Sequence, residues 1–187
     1  MKFALAGINH RSAPVEVRER IAFRSEDMPN ALHQLQDQTG LSEGLILSTC
    51  NRVEVAATLD DQADSARVLC SFLASSHNLK PEIIRPHLYL FEDTEAIRHL
   101  FRVASSLDSM VVGEPQILGQ LKQAFAQAQE LGSIGSYLET VLSKAFSVAK
   151  RVRTETEIGQ SAVSVSYAAV ELAREIFGSL HRRWVMI

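Results

Sequence analysis

The sequence predicts an α+β fold, a ferredoxin-like βαββαβ sheet followed by a helical segment. Three observations carry this. Four short runs of apolar or alternating residues fall before Glu92. Stretches of helical spacing separate them in the order β-α-β-β-α-β, which is that of a split unit with an antiparallel sheet and two helices on one face. From Thr94 to Phe177 only helical periodicity is found.

Phe3-Ala4-Leu5-Ala6-Gly7-Ile8 is the first strand, and the turn formers and proline of Asn9-His10-Arg11-Ser12-Ala13-Pro14 end it. Val15 to Ile21 is a short charged helix. Ser25 fits the N-cap of a second helix, in which Met28, Leu32 and Leu35 recur at helical spacing until Thr39-Gly40. Leu45-Ile46-Leu47 reads as a short buried strand, and Val53-Glu54-Val55 resumes strand-like alternation. Ala63 to His77 is an amphipathic helix with Ala66, Leu69, Phe72 and Leu73 on one face, beside which Cys70 packs. His87 to Phe91 supplies the fourth strand after Pro86. Thr94 or Asp93 caps a helix carrying Ile97, Leu100, Phe101 and Val103. Pro115 suits the first turn of a helix from Gln116 to Leu131. After Gly132-Ser133-Ile134-Gly135, Ser136 to Glu157 is helical, and Ser161 or Ser164 starts a last helix through Phe177. Trp184-Val185-Met186-Ile187 reads as the opening of a strand, so a second domain is expected to begin there.

At 187 residues, 46% hydrophobic and 22% charged, this is the composition of a soluble globular chain of one or two domains. No apolar run has the length of a membrane span. Met1-Lys2-Phe3-Ala4 lacks a signal peptide's apolar core, so the cytoplasm is the default location. Two distant cysteines make no disulfide framework, and with scattered histidines they make no metal cluster. Residues 141–187 hold seven Lys/Arg against four Asp/Glu within a net charge of −3. That basic end suits either phosphate contacts or an ordinary solvated helix surface.

The candidate for chemistry is Ser48-Thr49-Cys50-Asn51-Arg52, five polar residues between two strand signals. A strand-end turn lets Cys50 face a cleft, and a neighbouring guanidinium favours the thiolate, the nucleophilic form. The competing reading is a small apolar residue plugging a turn, since free cysteine is usually buried. The polar neighbours on both sides favour a reactive thiol.

Four blocks in order resemble the N-terminal catalytic region of the glutamyl-tRNA reductase family. They are Gly7-Ile8-Asn9-His10-Arg11-Ser12-Ala13-Pro14, the Ser48 to Arg52 run, Ser106-Leu107-Asp108-Ser109-Met110-Val111-Val112-Gly113-Glu114-Pro115-Gln116-Ile117-Leu118-Gly119-Gln120, and Ser147-Val148-Ala149-Lys150-Arg151-Val152-Arg153-Thr154-Glu155-Thr156. The resemblance implies a Cys50 nucleophile that takes glutamate from glutamyl-tRNA(Glu) as a thioester. NADPH then reduces the thioester to glutamate-1-semialdehyde, the first step of tetrapyrrole (porphyrin and heme) synthesis from glutamate. It carries substrate recognition to Thr49, Asn51, Arg52, Ser109, Glu114, Pro115, Gln116 and Gln120, with Arg52 as a two-pronged cation and Glu114 as a negative charge. It makes His99 a catalytic residue acting as general acid or base. Taken singly, Ser109 and Thr49 also read as local caps, Glu114 as a helix-start carboxylate, Gln120 as a solvated helix residue, and His99 as packing. Asn9-His10 reads first as turn chemistry and second as support for the Cys50 loop. Lys144, Lys150, Arg151 and Arg153 are candidates for tRNA backbone contacts, with a solvated face the equal alternative.

The resemblance further implies a homodimer through a C-terminal domain, handover of product to the next pathway enzyme, and no membrane partner. It places a catalytic, glutamate-recognition domain at 1–158 and a linker helix with the first strand of an NADPH-binding domain at 159–187. The sequence contains no G-x-G-x-x-G, so no cofactor-binding residue and no metal ligand is assigned within it. Two other classes compete. A cysteine-dependent esterase would use Cys50 and His99 without a cofactor, and a non-catalytic RNA-binding module would need exposed strand aromatics.

Overall fold

A computed structural model describes residues 1–37, 41–159 and 165–180. Strand β1 (Lys2–Asn9) leads through α1 (Val15–Arg20) and α2 (Met28–Gln36) to β2 (Leu41–Ser48) and β3 (Arg52–Leu59). Helices α3 (Ser65–Ser76) and α4 (Pro81–Ile84), with a 3-10 turn at Arg85–His87, then return the chain to β4 (Tyr89–Glu92). The sheet order is β2-β3-β1-β4 with every neighbouring pair antiparallel, so the expected split unit is present. Helices α5 (Asp93–Ala104), α6 (Gln116–Glu130), α7 (Ser136–Glu155) and α8 (Val165–Phe177) follow. None among the described residues is long and apolar enough to cross a membrane.

Helix α2 begins at Met28 with Asp27 in the cap position, not at Ser25, because Pro29 fits a first helical turn. In α3 the cap is Asp64, whose carboxylate accepts from the Arg67 backbone N–H at 3.0 Å. Ala66 lies outside the buried face of that helix, which runs through Leu69, Cys70, Phe72 and Leu73. Strand β4 starts at Tyr89 because the turn around Pro86 consumes His87. Asp93, in the left-handed region at φ 45°, does not cap its own helix; its carboxylate accepts from the Phe3 N–H at 3.0 Å and ties the β4–α5 junction to β1. The expected helix stop at Thr39-Gly40, the starts at Ser161 or Ser164, and the strand at Trp184 to Ile187 lie outside the described residues.

The helical segment that follows the split unit adds a further layer, so helices cover both faces of the sheet. Consecutive strand residues point to opposite faces. Gly44 lies under Leu35 of α2, while Glu43 caps α7 by accepting from the Tyr137 and Leu138 N–H groups at 3.2 and 2.7 Å. The late helices α5 and α7 therefore roof the face that a two-layer fold leaves to water. All eight residues of β3 are buried as a result, Glu54 among them. Burial of Phe3, Leu5, Ile8, Val55 and Leu59 contributes about 1.5–3 kcal/mol each.

Candidate active site

The β2–β3 hairpin turns through Thr49, Cys50 and Asn51, and it is held at every residue. Thr49 N–H donates to the Arg52 carbonyl at 2.8 Å, while its hydroxyl accepts from the Asn51 and Arg52 N–H groups at 3.2 and 3.1 Å. Such a hydroxyl turn uses the local hydrogen bonding that threonine favours outside regular structure. Ser48 Oγ accepts from the Phe23 N–H at 2.9 Å, Arg18 donates to the Cys50 carbonyl, and the His10 N–H donates to the Asn51 carbonyl at 3.0 Å. Asn9 closes its own turn, accepting from the Arg11 and Ser12 N–H groups at 2.9 and 3.1 Å. The segment after β1 thus does both things expected of it, making a turn and bracing the cysteine loop. Cys50 is exposed at the tip, whereas Cys70 is buried, and burial pushes the Cys70 thiol up.

Beside Cys50 lies a cavity of about 260 Å³, enough for an amino-acid-sized group. The hairpin contributes Thr49, Cys50, Asn51 and Arg52 to its wall, the loop after α5 contributes Ser109, Met110 and Glu114, and α6 contributes Gln116, Ile117 and Gln120. A hollow of about 570 Å³ elsewhere, floored by Phe23 and His77, contains no cysteine and no part of the matched blocks beyond it. Among the described residues no cluster of His, Cys, Asp and Glu is placed to hold a metal ion.

Beneath the hairpin is a buried ionic network. Arg52, 2% exposed, donates from Nη1 to Glu54 Oε1 at 2.8 Å and from Nη2 to Asp108, both to the backbone carbonyl and to Oδ2 at 3.1 Å. Asp108 also accepts from Arg11 Nη1 at 3.0 Å, so two arginines on the sheet side pin the loop that carries Ser109 and Glu114. Glu54 Oε1 further accepts from Tyr89 Oη at 2.6 Å and His99 Nε2 at 2.8 Å. Gly7 makes this possible. It faces Glu54 across the sheet, where a Cβ would lie 2.7 Å from the Glu54 Cγ.

Burial on its own raises the Glu54 carboxyl. The His99 hydrogen bond and the Arg52 charge outweigh it and hold the group at about 2, so Glu54 is ionised at neutral pH. An ionised carboxylate has no hydrogen to give, so His99 carries one on Nε2. Burial and the Glu54 charge push the Tyr89 phenol well up, keeping it a donor. Burial works against the Arg52 charge, but its two carboxylate neighbours keep it protonated.

Of the residues predicted for the site, Cys50, Thr49, Asn51, Arg52, Ser109, Glu114, Gln116 and Gln120 line one cavity. Pro115 does not line it and instead holds the N-cap of α6 between Glu114 and Gln116. His99, 8% exposed, is also outside the wall; it reaches the site through Glu54 and Arg52. Arg52 has three of its five N–H hydrogens on Glu54 and Asp108, which leaves the Nε hydrogen and one on Nη1 without a partner among the described residues. Sequence reasoning missed Met110 and Ile117 in the wall and Glu54, Tyr89, Asp108, Arg11 and Arg18 behind it. Arg11, Asp108, Met110 and Ile117 stood inside matched blocks, which was the available signal. Of the basic residues considered for phosphates, Arg151 pairs with Glu155 at 2.9 Å and Arg153 is turned inward, while Lys144 and Lys150 are exposed.

Residues 6–156 match the family model described as glutamyl-tRNAGlu reductase, N-terminal domain. The chain is 58% identical over 187 residues to the glutamyl-tRNA reductase of Solibacter usitatus, covering all of this chain and 44% of that protein. It is 55% identical to that of Syntrophotalea carbinolica, again over all of this chain and 42% of the relative. Among solved structures, the glutamyl-tRNA reductase from Methanopyrus kandleri superimposes with a TM-score of 0.73 at 40% identity, over 96% of this chain and 41% of that one. The chain spans less than half the length of these relatives, and across that span it belongs to the glutamyl-tRNA reductase family as its N-terminal domain.

Proposed function

We propose that this domain takes the glutamyl group from glutamyl-tRNA(Glu) onto Cys50, within a protein that then reduces it with NADPH to glutamate-1-semialdehyde for tetrapyrrole synthesis. The observation that supports this reading most is an exposed thiol, on a turn braced at each residue, in the wall of a cavity of amino-acid size that also carries Arg52 and Glu114. The Cys50 sulfur attacks the ester carbonyl carbon, the S–C bond forms, and the C–O bond to the terminal ribose breaks. The thiol's proton ends on the departing ribose oxygen. A thioester carbonyl has weaker resonance stabilisation than an ester, so the product is the easier one to reduce.

Glu114 and the free hydrogens of Arg52 supply opposite charges for the ammonium and carboxylate of glutamate, with Thr49, Asn51, Ser109, Gln116 and Gln120 as neutral hydrogen-bonding groups. Pro115 fixes the start of α6 between two wall residues. His99 acts through Glu54 and Arg52, holding the ion pair in place. The half-buried β4 aromatics pack on His99, Phe91 at 4.7 Å and Tyr89 at 5.4 Å between ring centroids, so that edge offers no stacking surface and an RNA-binding module is disfavoured.

NADPH does not fit the residues present. The sequence holds no Gly-rich strand-to-helix turn that could cradle a pyrophosphate. We place the cofactor, the homodimer contact and any handover of product in the further length of the relatives. We set the catalytic domain at 1–158 and read 159–187 as a linker helix leading into the next domain. Exposed Leu172, Ile176 and Phe177 on α8 support this, since they are apolar side chains that a following domain would cover. The test is an assay with labelled glutamyl-tRNA on the 187-residue chain, with and without NADPH. Slow release of free glutamate that ignores NADPH is expected. Semialdehyde formed by this chain alone would overturn the assignment of the cofactor site.

A further inference from the structure

We infer that Arg153 is a positioning residue for the glutamyl pocket, holding from α7 the loop that carries Ser109 and Glu114. The inference rests on the reading of this cavity as the glutamyl site. Arg153 Nη2 donates to the Glu114 carbonyl at 2.7 Å, the Gly113 carbonyl at 3.2 Å and Ser106 Oγ at 3.3 Å. Ser106 Oγ donates to the same Glu114 carbonyl, and the Gly113 N–H donates to the Ser106 carbonyl at 3.0 Å. The two ends of the loop are thereby closed on one guanidinium.

The Ser106 end needs that closure. Ser106 sits at φ 61°, where a non-glycine residue is strained unless its surroundings hold it, whereas Gly113 adopts its φ of 87° freely. Arg11 and Arg52 pin the middle of the loop at Asp108 from the sheet side, and Arg153 pins its ends from the helical side. Charge-assisted bonds to carbonyls are stronger than neutral ones, and all three contacts come from one terminal nitrogen, Nη2, whose position the planar guanidinium fixes. Arg153 does not itself line the cavity; its side chain holds the backbone of the wall residue Glu114 from behind. It sets where Glu114 stands relative to Cys50.

The test uses the full-length protein without NADPH and follows thioester formation at varied glutamyl-tRNA concentration. R153Q removes the charge and the bridge, and R153K keeps the charge alone. A misplacement of about 1 Å in a positioned group costs up to about a hundredfold, so R153Q is expected to lower acyl-transfer efficiency about tenfold to a hundredfold. Most of the loss is expected as weaker half-saturation, with R153K intermediate. The rate of Cys50 alkylation by iodoacetamide and the melting temperature of R153K are expected to stay near wild type, because the hairpin is braced independently. Wild-type half-saturation in folded R153Q would overturn the inference. So would parallel losses of alkylation and melting temperature in both variants, which would make Arg153 a strut of the whole domain. A wild-type protein that forms no thioester would overturn the reading of the site and this inference with it.

Discussion

Replacing Glu54 with leucine is expected to destabilise the domain by about 3–5 kcal/mol, the usual cost of removing one partner from a buried ion pair. Three donors converge on its Oε1: Arg52, Tyr89 and His99. Leucine leaves all three turned toward a methyl group, and each buried donor so orphaned costs about 1–3 kcal/mol, though the losses do not add. Asp108 keeps part of the Arg52 charge compensated, which holds the total near the stated range. The same group makes stability depend on pH. Its folded value near 2 lies below the ordinary 4.5, so its contribution is fully present above about pH 4.5 and is lost as pH falls toward 2. That difference corresponds to about 3 kcal/mol. Chemical denaturation of wild type and Glu54→Leu from pH 7 to pH 3 checks both points: the wild type should lose stability across the lower part of the range, and the variant should lose less. A variant within about 0.5 kcal/mol of wild type at pH 7 would mean that the network holds nothing together.

Cys50→Ser should leave the fold intact, because the side chain is exposed, and should lower glutamate release about a thousandfold or more, at least about 4 kcal/mol of barrier. Serine needs an adjacent base to act as a nucleophile. The histidine with the best claim to that task, His99, is committed through Nε2 to Glu54 and does not line the cavity. The cysteine needs less help, since sulfur is intrinsically the stronger nucleophile. The comparison is made with labelled glutamyl-tRNA at saturating protein and matched melting temperature. Release within about tenfold of wild type would show that Cys50 is not the acyl acceptor.

What the sequence made legible follows from range. The strands, the hairpin tip and the polar loop before α6 are local patterns, and they place Cys50 with Ser109, Glu114 and Gln120 once the blocks are recognised. Glu54 shows where that reading stops. In Val53-Glu54-Val55 it looks like the solvent-facing member of an alternating strand, yet it is 2% exposed. The roof comes from α5, and the bond that matters spans 45 residues to His99. Arg52 was legible as a cation beside the thiol but not as one already paired, because Asp108 is 56 residues away. Arg153 read as either a phosphate contact or a solvated helix residue for the same reason. Its partners at Gly113 and Glu114 are brought near only by packing of α7 against α5.

The most direct test of the account is the position of a covalent glutamyl group. The chain is mixed with glutamyl-tRNA in the absence of NADPH, quenched in acid to preserve thioesters, digested and mapped by mass spectrometry. The account predicts a glutamyl adduct on the peptide containing Cys50, removed by neutral hydroxylamine, with none on the buried Cys70. An adduct confined to Cys70 or to another residue, with Cys50 unmodified and folding intact, would contradict it.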